Sequence, residues 1–184
     1  MVYLFLAEGF EEIEALTPVD VLRRAGVDVK TVGVTGERVR GSHGIEVASD
    51  ISLDDAIAGL SANGAEIEMV ILPGGMPGAK NLDESEGVDR FIKEALKQDA
   101  YIAAICAAPM ILGKRGLLSG RDATCYPGFE KYLDGAKYYE ASVVADGNFI
   151  TADGMGSALD FALQLTALLK SDDESEKIAD SIRA

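Results

Sequence analysis

A chain of 184 residues with 48% hydrophobic residues can bury its own core, and two cysteines are too few for a disulfide framework, so a reducing, cytoplasmic setting is expected. The net charge of −14 argues against nucleic acid and membrane surfaces as partners, because both select a basic face. The opening run MVYLFLAEGFEEIE lacks a basic start and loses its apolar character at Glu8, so neither a signal peptide nor a membrane span is expected.

In chain order, residues 2–7 (VYLFLA) predict a strand and 11–25 a helix that stops at Gly26. A second strand is expected over 27–34 (VDVKTVGV) and a helix over 53–59, capped by Ser52 or Asp50. Then come a strand over 68–75 (EMVILPGG), a helix over 86–98, a strand over 101–106 (YIAAIC) and a helix over 107–113. The pattern ends with a strand over 148–152 (NFITA) and helices over 155–170 and 173–182. The last lies in the acidic segment 171–184, which reads as a solvated helix or tail. Several apolar runs lack strict alternation, which suits strands covered on both faces. The β-α-β-α succession predicts an α/β fold with a mostly parallel sheet and helices on both faces. With no repeat, low-complexity stretch or long linker, one domain over 1–184 is expected.

Active sites of open parallel sheets gather at the carboxyl ends of strands. Cys106 ends the strand YIAAIC and begins the run AAPMILGK, with Ala104 and Ala108 two residues to either side. A sharp strand-to-helix elbow needs small residues there, and the following helix N-terminus would favour a thiolate. A buried structural cysteine fits the same local pattern. Projecting residues 10–25 at about 100° per residue puts Glu14 within the apolar arc and Glu12 on the far side. A carboxyl on a buried face has a raised pKa and can act as acid, base or hydrogen-bond donor. A carboxylate favoured by the helix dipole is the plainer reading, and Pro18 is a potential kink in that helix. Gly74 and Gly75 after a strand suit either close approach of an anion or a turn, and Gly154 to Gly156 carry the same ambiguity. No phosphate loop, dinucleotide fingerprint or zinc spacing is present, so no cofactor and no metal are expected. The single histidine, His43, reads as a turn residue far from Cys106, which argues against a thiol-protease pair. Cys125 reads as a small buried residue.

AEGFEEIEALTPVDVLRRAGVDV, VILPGGMPGAKNL, IAAICAAPMIL and GMGSALDFAL, in that order, resemble the DJ-1/ThiJ/PfpI superfamily, and within it the DJ-1 branch. The resemblance spans nearly the whole chain and implies a flavodoxin-like three-layer sandwich, a homodimer, and a reactive Cys106 hydrogen-bonded by a protonated Glu14. It places the backbone N–H groups of Gly75 and Ala107, beside Gly74, in a small anion pocket. It implies a cysteine-dependent activity on small reactive carbonyls, of glutathione-independent glyoxalase or deglycase type, with methylglyoxal converted to lactate. The alternative it implies is an oxidative-stress sensor or chaperone whose Cys106 is oxidised to a sulfinic acid. Two departures stand out. Tyr126 falls where many DJ-1 relatives carry a histidine, and a phenol cannot shuttle protons near neutrality as imidazole does. Ala107 falls where the protease-like branch carries a histidine, so peptidase activity is not expected.

Overall fold

The computed structural model describes residues 1–63 and 66–184. Strand β1 (Val2–Leu6) leads into helix α1 (Glu12–Arg24), and β2 (Val29–Gly33) is followed by a hairpin of β3 (Arg38–Arg40) and β4 (Glu46–Ala48), then by the short strand β5 (Ile51–Ser52). Next come α2 (Leu53–Asn63), β6 (Met69–Leu72), α3 (Gly78–Asp83), α4 (Glu86–Lys97), β7 (Tyr101–Ile105) and α5 (Pro109–Lys114). Strands β8 (Asp122–Ala123) and β9 (Lys137–Tyr138) pair with each other; β10 (Val143–Asp146) and β11 (Phe149–Ala152) form a hairpin; α6 (Ala158–Leu169) and α7 (Asp172–Ile182) complete the order.

The main sheet runs β10-β11-β7-β6-β1-β2-β5 and is parallel except for β10. The inner order β2-β1-β6-β7-β11 is the flavodoxin-like one, with β5 and β10 added at the edges. Alternation along β1 builds the two outer layers. Val2, Leu4 and Leu6 share one core cluster with Ala15, Val19 and Leu22 of α1 and Phe161 and Leu165 of α6. Tyr3 and Phe5 face the other side, where the Phe91 ring of α4 lies 4.9 Å and 5.0 Å from theirs. Fully burying one such side chain contributes about 2–3 kcal/mol. The chain leaves β1 towards β2 on one side and returns to β6 on the other. The topological switch point therefore lies at the carboxyl ends of β1 and β6, where ligands bind in open α/β sheets.

Each strand expected from the sequence is present, and so is each expected helix. Ser52 Oγ accepts the Asp55 N–H at 3.1 Å and caps α2, while Gly26 takes φ 68° behind α1. Pro18 does not interrupt α1. Helix α5 begins at Pro109 rather than 107, because Cys106 to Ala108 form the turn itself. The acidic end segment is more than a solvated tail: Ile178 of α7 is buried, and Ser175 Oγ donates to the Leu163 carbonyl of α6 at 2.8 Å. No helix among the described residues is long and apolar enough to cross a membrane.

Candidate active site

Cys106 stands where β7 stops, with φ 64°, a left-handed conformation uncommon outside glycine. Its N–H donates to the Ala152 carbonyl of β11 at 2.9 Å, and its carbonyl accepts the Tyr126 N–H at 2.8 Å. Both bonds hold the residue in that conformation, and fully buried Ala104 and Ala108 leave room for the turn. The side chain is thereby turned out of the sheet at the carboxyl end, half-buried rather than lost in the core.

Glu14 reaches the same point from the first turn of α1. Glu11 caps that helix, its Oε2 accepting the Glu14 N–H at 2.7 Å, which fixes where the turn begins. The Glu14 side chain is 1% exposed, accepts the Gly74 N–H on Oε2 at 2.9 Å and hydrogen-bonds Cys106. Burial pushes its carboxyl up to about 7, with the Glu11 charge adding to the rise and the bonds to Cys106 and Gly74 opposing it. Burial, the Glu14 charge and the Glu14 hydrogen bond push the Cys106 thiol up, while the backbone N–H groups of Ala107 and Gly75 pull it down. The lowered thiol that the elbow alone suggested is therefore corrected: burial raises it first, and a Glu14 that keeps its proton removes only the repulsion while donating to sulfur.

The two glycines divide the work. The Gly74 N–H, expected in the anion pocket, is committed to Glu14, and a Cβ at Gly74 would come within 2.7 Å of Cys106 Cβ. Gly75 takes φ 84°, and together with Ala107 it directs an N–H at the sulfur.

Cys106 and Glu14 open into a pocket of about 460 Å³. Glu11, His43, Tyr126 and Asp153 line it, together with the glycine-rich entry to α6 from Gly154 to Ser157. Tyr126 is half exposed there, its ring lying against Gly154. Cys125, as expected, is fully buried; burial and then the Glu130 charge push its thiol up to about 12.

Two sequence readings need correction. Glu12, projected to the far side of α1, is 4% exposed because the loop 41–45 between β3 and β4 closes over it. Its Oε1 accepts the N–H groups of His43 at 2.8 Å and Ile45 at 3.4 Å, and its Oε2 lies 3.0 Å from His43 Nδ1. Gly41 makes the space, since a Cβ there would collide with the Glu12 carboxylate. His43 does sit in a turn, as read, but that turn delivers it to the pocket of Cys106, so an imidazole is present after all. Hydrogen bonding to Glu12 and its charge, with a further contribution from Glu11, raise the His43 pKa. Burial would raise that of Glu12, but the bonds from His43 and the loop outweigh it and hold the carboxyl low. Glu11, Glu12 and His43 bring one donor atom each within 4.8 Å of one another, the one such trio among the described residues. Glu12 is already saturated by the loop and Glu11 is tied to the helix cap, so the trio is a hydrogen-bonded cluster rather than a set of free ligands. Glu11, His43 and Asp153 are the titratable lining residues that the sequence reading did not place at the site. Their signal was positional, since each flanks the end of a central strand or a short hairpin.

A family model described as the DJ-1/PfpI family matches residues 1–168. The chain is 40% identical over 166 residues to the Parkinson disease protein 7 homolog of Danio rerio, covering 88% of this chain and 85% of that protein. It is 31% identical over 172 residues to a Caenorhabditis elegans protein named glutathione-independent glyoxalase DJR-1.2, covering 93% and 89%. The crystal structure of Drosophila melanogaster DJ-1beta matches with a TM-score of 0.91 at 35% identity, covering 100% of this chain and 97% of that one.

Proposed function

This chain belongs to the DJ-1/PfpI family, and from that premise we propose that it is a cysteine-dependent enzyme acting on small reactive carbonyls, converting methylglyoxal to lactate without glutathione. The observation that carries the reading is the buried Glu14 carboxyl hydrogen-bonded to the Cys106 sulfur at an open pocket. A buried carboxyl that titrates near neutrality is suited to moving protons in both directions at physiological pH.

With the shared proton on Glu14, the Cys106 thiolate adds to the aldehyde carbon and Glu14 gives its proton to the aldehyde oxygen, forming a hemithioacetal. The Glu14 carboxylate then removes the hydrogen from that carbon, and the charge moves onto the neighbouring carbonyl oxygen. The N–H groups of Gly75 and Ala107 are the donors available to that oxyanion. Return of the proton to the second carbon, with the hydroxyl proton passing from the first oxygen to the second, gives a lactoyl thioester on Cys106. Water cleaves it to lactate and the free thiol, so the net reaction is methylglyoxal plus water to lactate and a proton.

The same donors would hold the oxygens of a sulfinate, formed when the thiolate takes one oxygen from each of two peroxide molecules and releases two waters. One comparison separates the readings: lactate production by the wild type, Cys106→Ala and Glu14→Gln. Loss of turnover in both variants is expected, and equal rates in all three would sink the mechanism. Absent turnover with two oxygens added at Cys106 by mild peroxide would leave the sensor reading in its place.

A further inference from the structure

The thioester must be hydrolysed, and the water that does so enters from the open side of the pocket. Glu14 is 1% exposed with one oxygen held by Gly74, so it faces the sulfur from the closed side. Tyr126 brings a phenol and Asp153 a carboxylate to the same pocket. Among the residues lining the pocket, His43 alone is an imidazole, and its side chain is 71% exposed. Its Nδ1 is held 3.0 Å from Glu12 Oε2, and an ionised carboxylate only accepts, so in the neutral ring Nδ1 carries the hydrogen and Nε2 the lone pair. Glu12 is itself clamped by the loop backbone and by Ser42 Oγ at 3.4 Å, so the imidazole is oriented by a buried, fixed group. A nucleophile, a base and a group that orients the base are therefore assembled at one pocket from the elbow, the β3–β4 loop and the start of α1.

We propose that His43, oriented by Glu12, is the general base that releases the acyl group from Cys106. Nε2 takes a proton from water as the water oxygen bonds the thioester carbonyl carbon. The tetrahedral adduct then collapses with cleavage of the carbon–sulfur bond, returning the electron pair to sulfur, and the imidazolium gives its proton to solvent. Glu12 is a positioning residue in this scheme. The proposal deepens the carbonyl-enzyme reading and rests on it.

The groups facing His43 are Glu11, Glu12 and Glu14 from α1, Cys106 and Tyr126 at the elbow, and Asp153 after β11. Because Glu12 raises its pKa, His43 is a free base only above the ordinary histidine range, and kcat rises with pH through that raised value. Neutralising Glu12 lowers the His43 pKa, so the acid limb of kcat moves to lower pH in Glu12→Gln.

The test uses the full chain with methylglyoxal, measuring kcat and KM against pH together with intact mass spectrometry of the enzyme during turnover. His43→Gln should lower kcat by about a hundredfold. Acylation precedes the affected step, so KM should fall in parallel, kcat/KM should hold, and Cys106 should accumulate the mass of one lactoyl group. Unchanged kcat and pH profile in His43→Gln, or a loss without lactoyl accumulation, overturns the role of His43 while leaving the carbonyl chemistry standing. Wild-type turnover no greater than that of Cys106→Ala overturns both.

Discussion

Glu14 binds its proton more tightly in the fold than in the unfolded chain, which ties folding to pH. The Glu14 carboxyl moves from an ordinary 4.5 to about 7 on folding, mainly through burial. Between those values the folded chain holds a proton that the unfolded chain has released, so stability falls as pH rises from 4.5 and levels off above 7. A shift of this size corresponds to about 3 kcal/mol. Glu14→Gln keeps an acceptor for the Gly74 N–H and removes the charge. Urea unfolding at pH 5 and pH 8 should therefore show a smaller loss of stability in the variant than in the wild type; equal losses would mean that Glu14 ionises freely in the fold. Both residues were legible in sequence because their signals are local, small residues around Cys106 and an apolar arc around Glu14. Glu12 and His43 were not, since a helical projection knows nothing of a loop folding back from residues 41–45. The carboxylate looked solvated and the histidine looked distant for the same reason.

At the scale of elements, the helix that follows Cys106 is anchored from behind. Arg115, just past the end of α5, donates through Nη1 to Asp83 Oδ1 at 2.6 Å and through Nε to Asp89 Oδ1 at 3.1 Å, joining α3, α4 and α5. Further bonds go to the carbonyls of Ile111 and Asp83. Side-chain exposures of 21% for Arg115 and 14% for Asp83 keep this network from the full screening of a surface pair. Arg115→Met leaves Asp83 with Lys114 as its remaining cationic partner and should cost about 2 kcal/mol, read as a lower urea midpoint at unchanged slope. A change below about 0.5 kcal/mol would place the network among ordinary surface pairs. The five central strands were readable because β1, β6, β7 and β11 are runs of four or five mainly apolar residues and β2 (VKTVG) is rich in β-branched ones. The pairs β3–β4 and β8–β9 are only two or three residues each, too short for any period, and they owe their pairing to tertiary contacts. Strand β10 carried a usable signal in its turn: Asp146 pairs Phe149, and the two-residue loop Gly147-Asn148 is a hairpin signature with Gly147 at φ 58° in its first position.

For the whole molecule, several exposed apolar side chains lie on the elements that build the pocket, while Met76, Leu96 and Tyr139 are exposed on other segments. Ile13 and Leu16, three residues apart on α1 and so on one face, are 48% and 36% exposed. Ile45 is 56% exposed on the loop clamped by Glu12, and Met155 is 51% exposed on the pocket lining. Exposed apolar side chains on neighbouring elements of a chain so strongly charged suit a protein–protein surface. The homodimer implied by the family resemblance would bury it about a two-fold axis, with the same side chains contributed by each copy. The charge opposes this: two chains of −14 repel, and salt screens that repulsion. Light scattering on the 19.4 kDa chain should therefore give twice the monomer mass, with the dimer tighter at higher salt. Ile13→Glu combined with Ile45→Glu should yield a folded monomer, because both side chains are exposed in the single chain and add like charge to the patch. A wild type that stays monomeric at moderate salt, or a double variant that stays dimeric with a native circular dichroism spectrum, would move the interface away from this face.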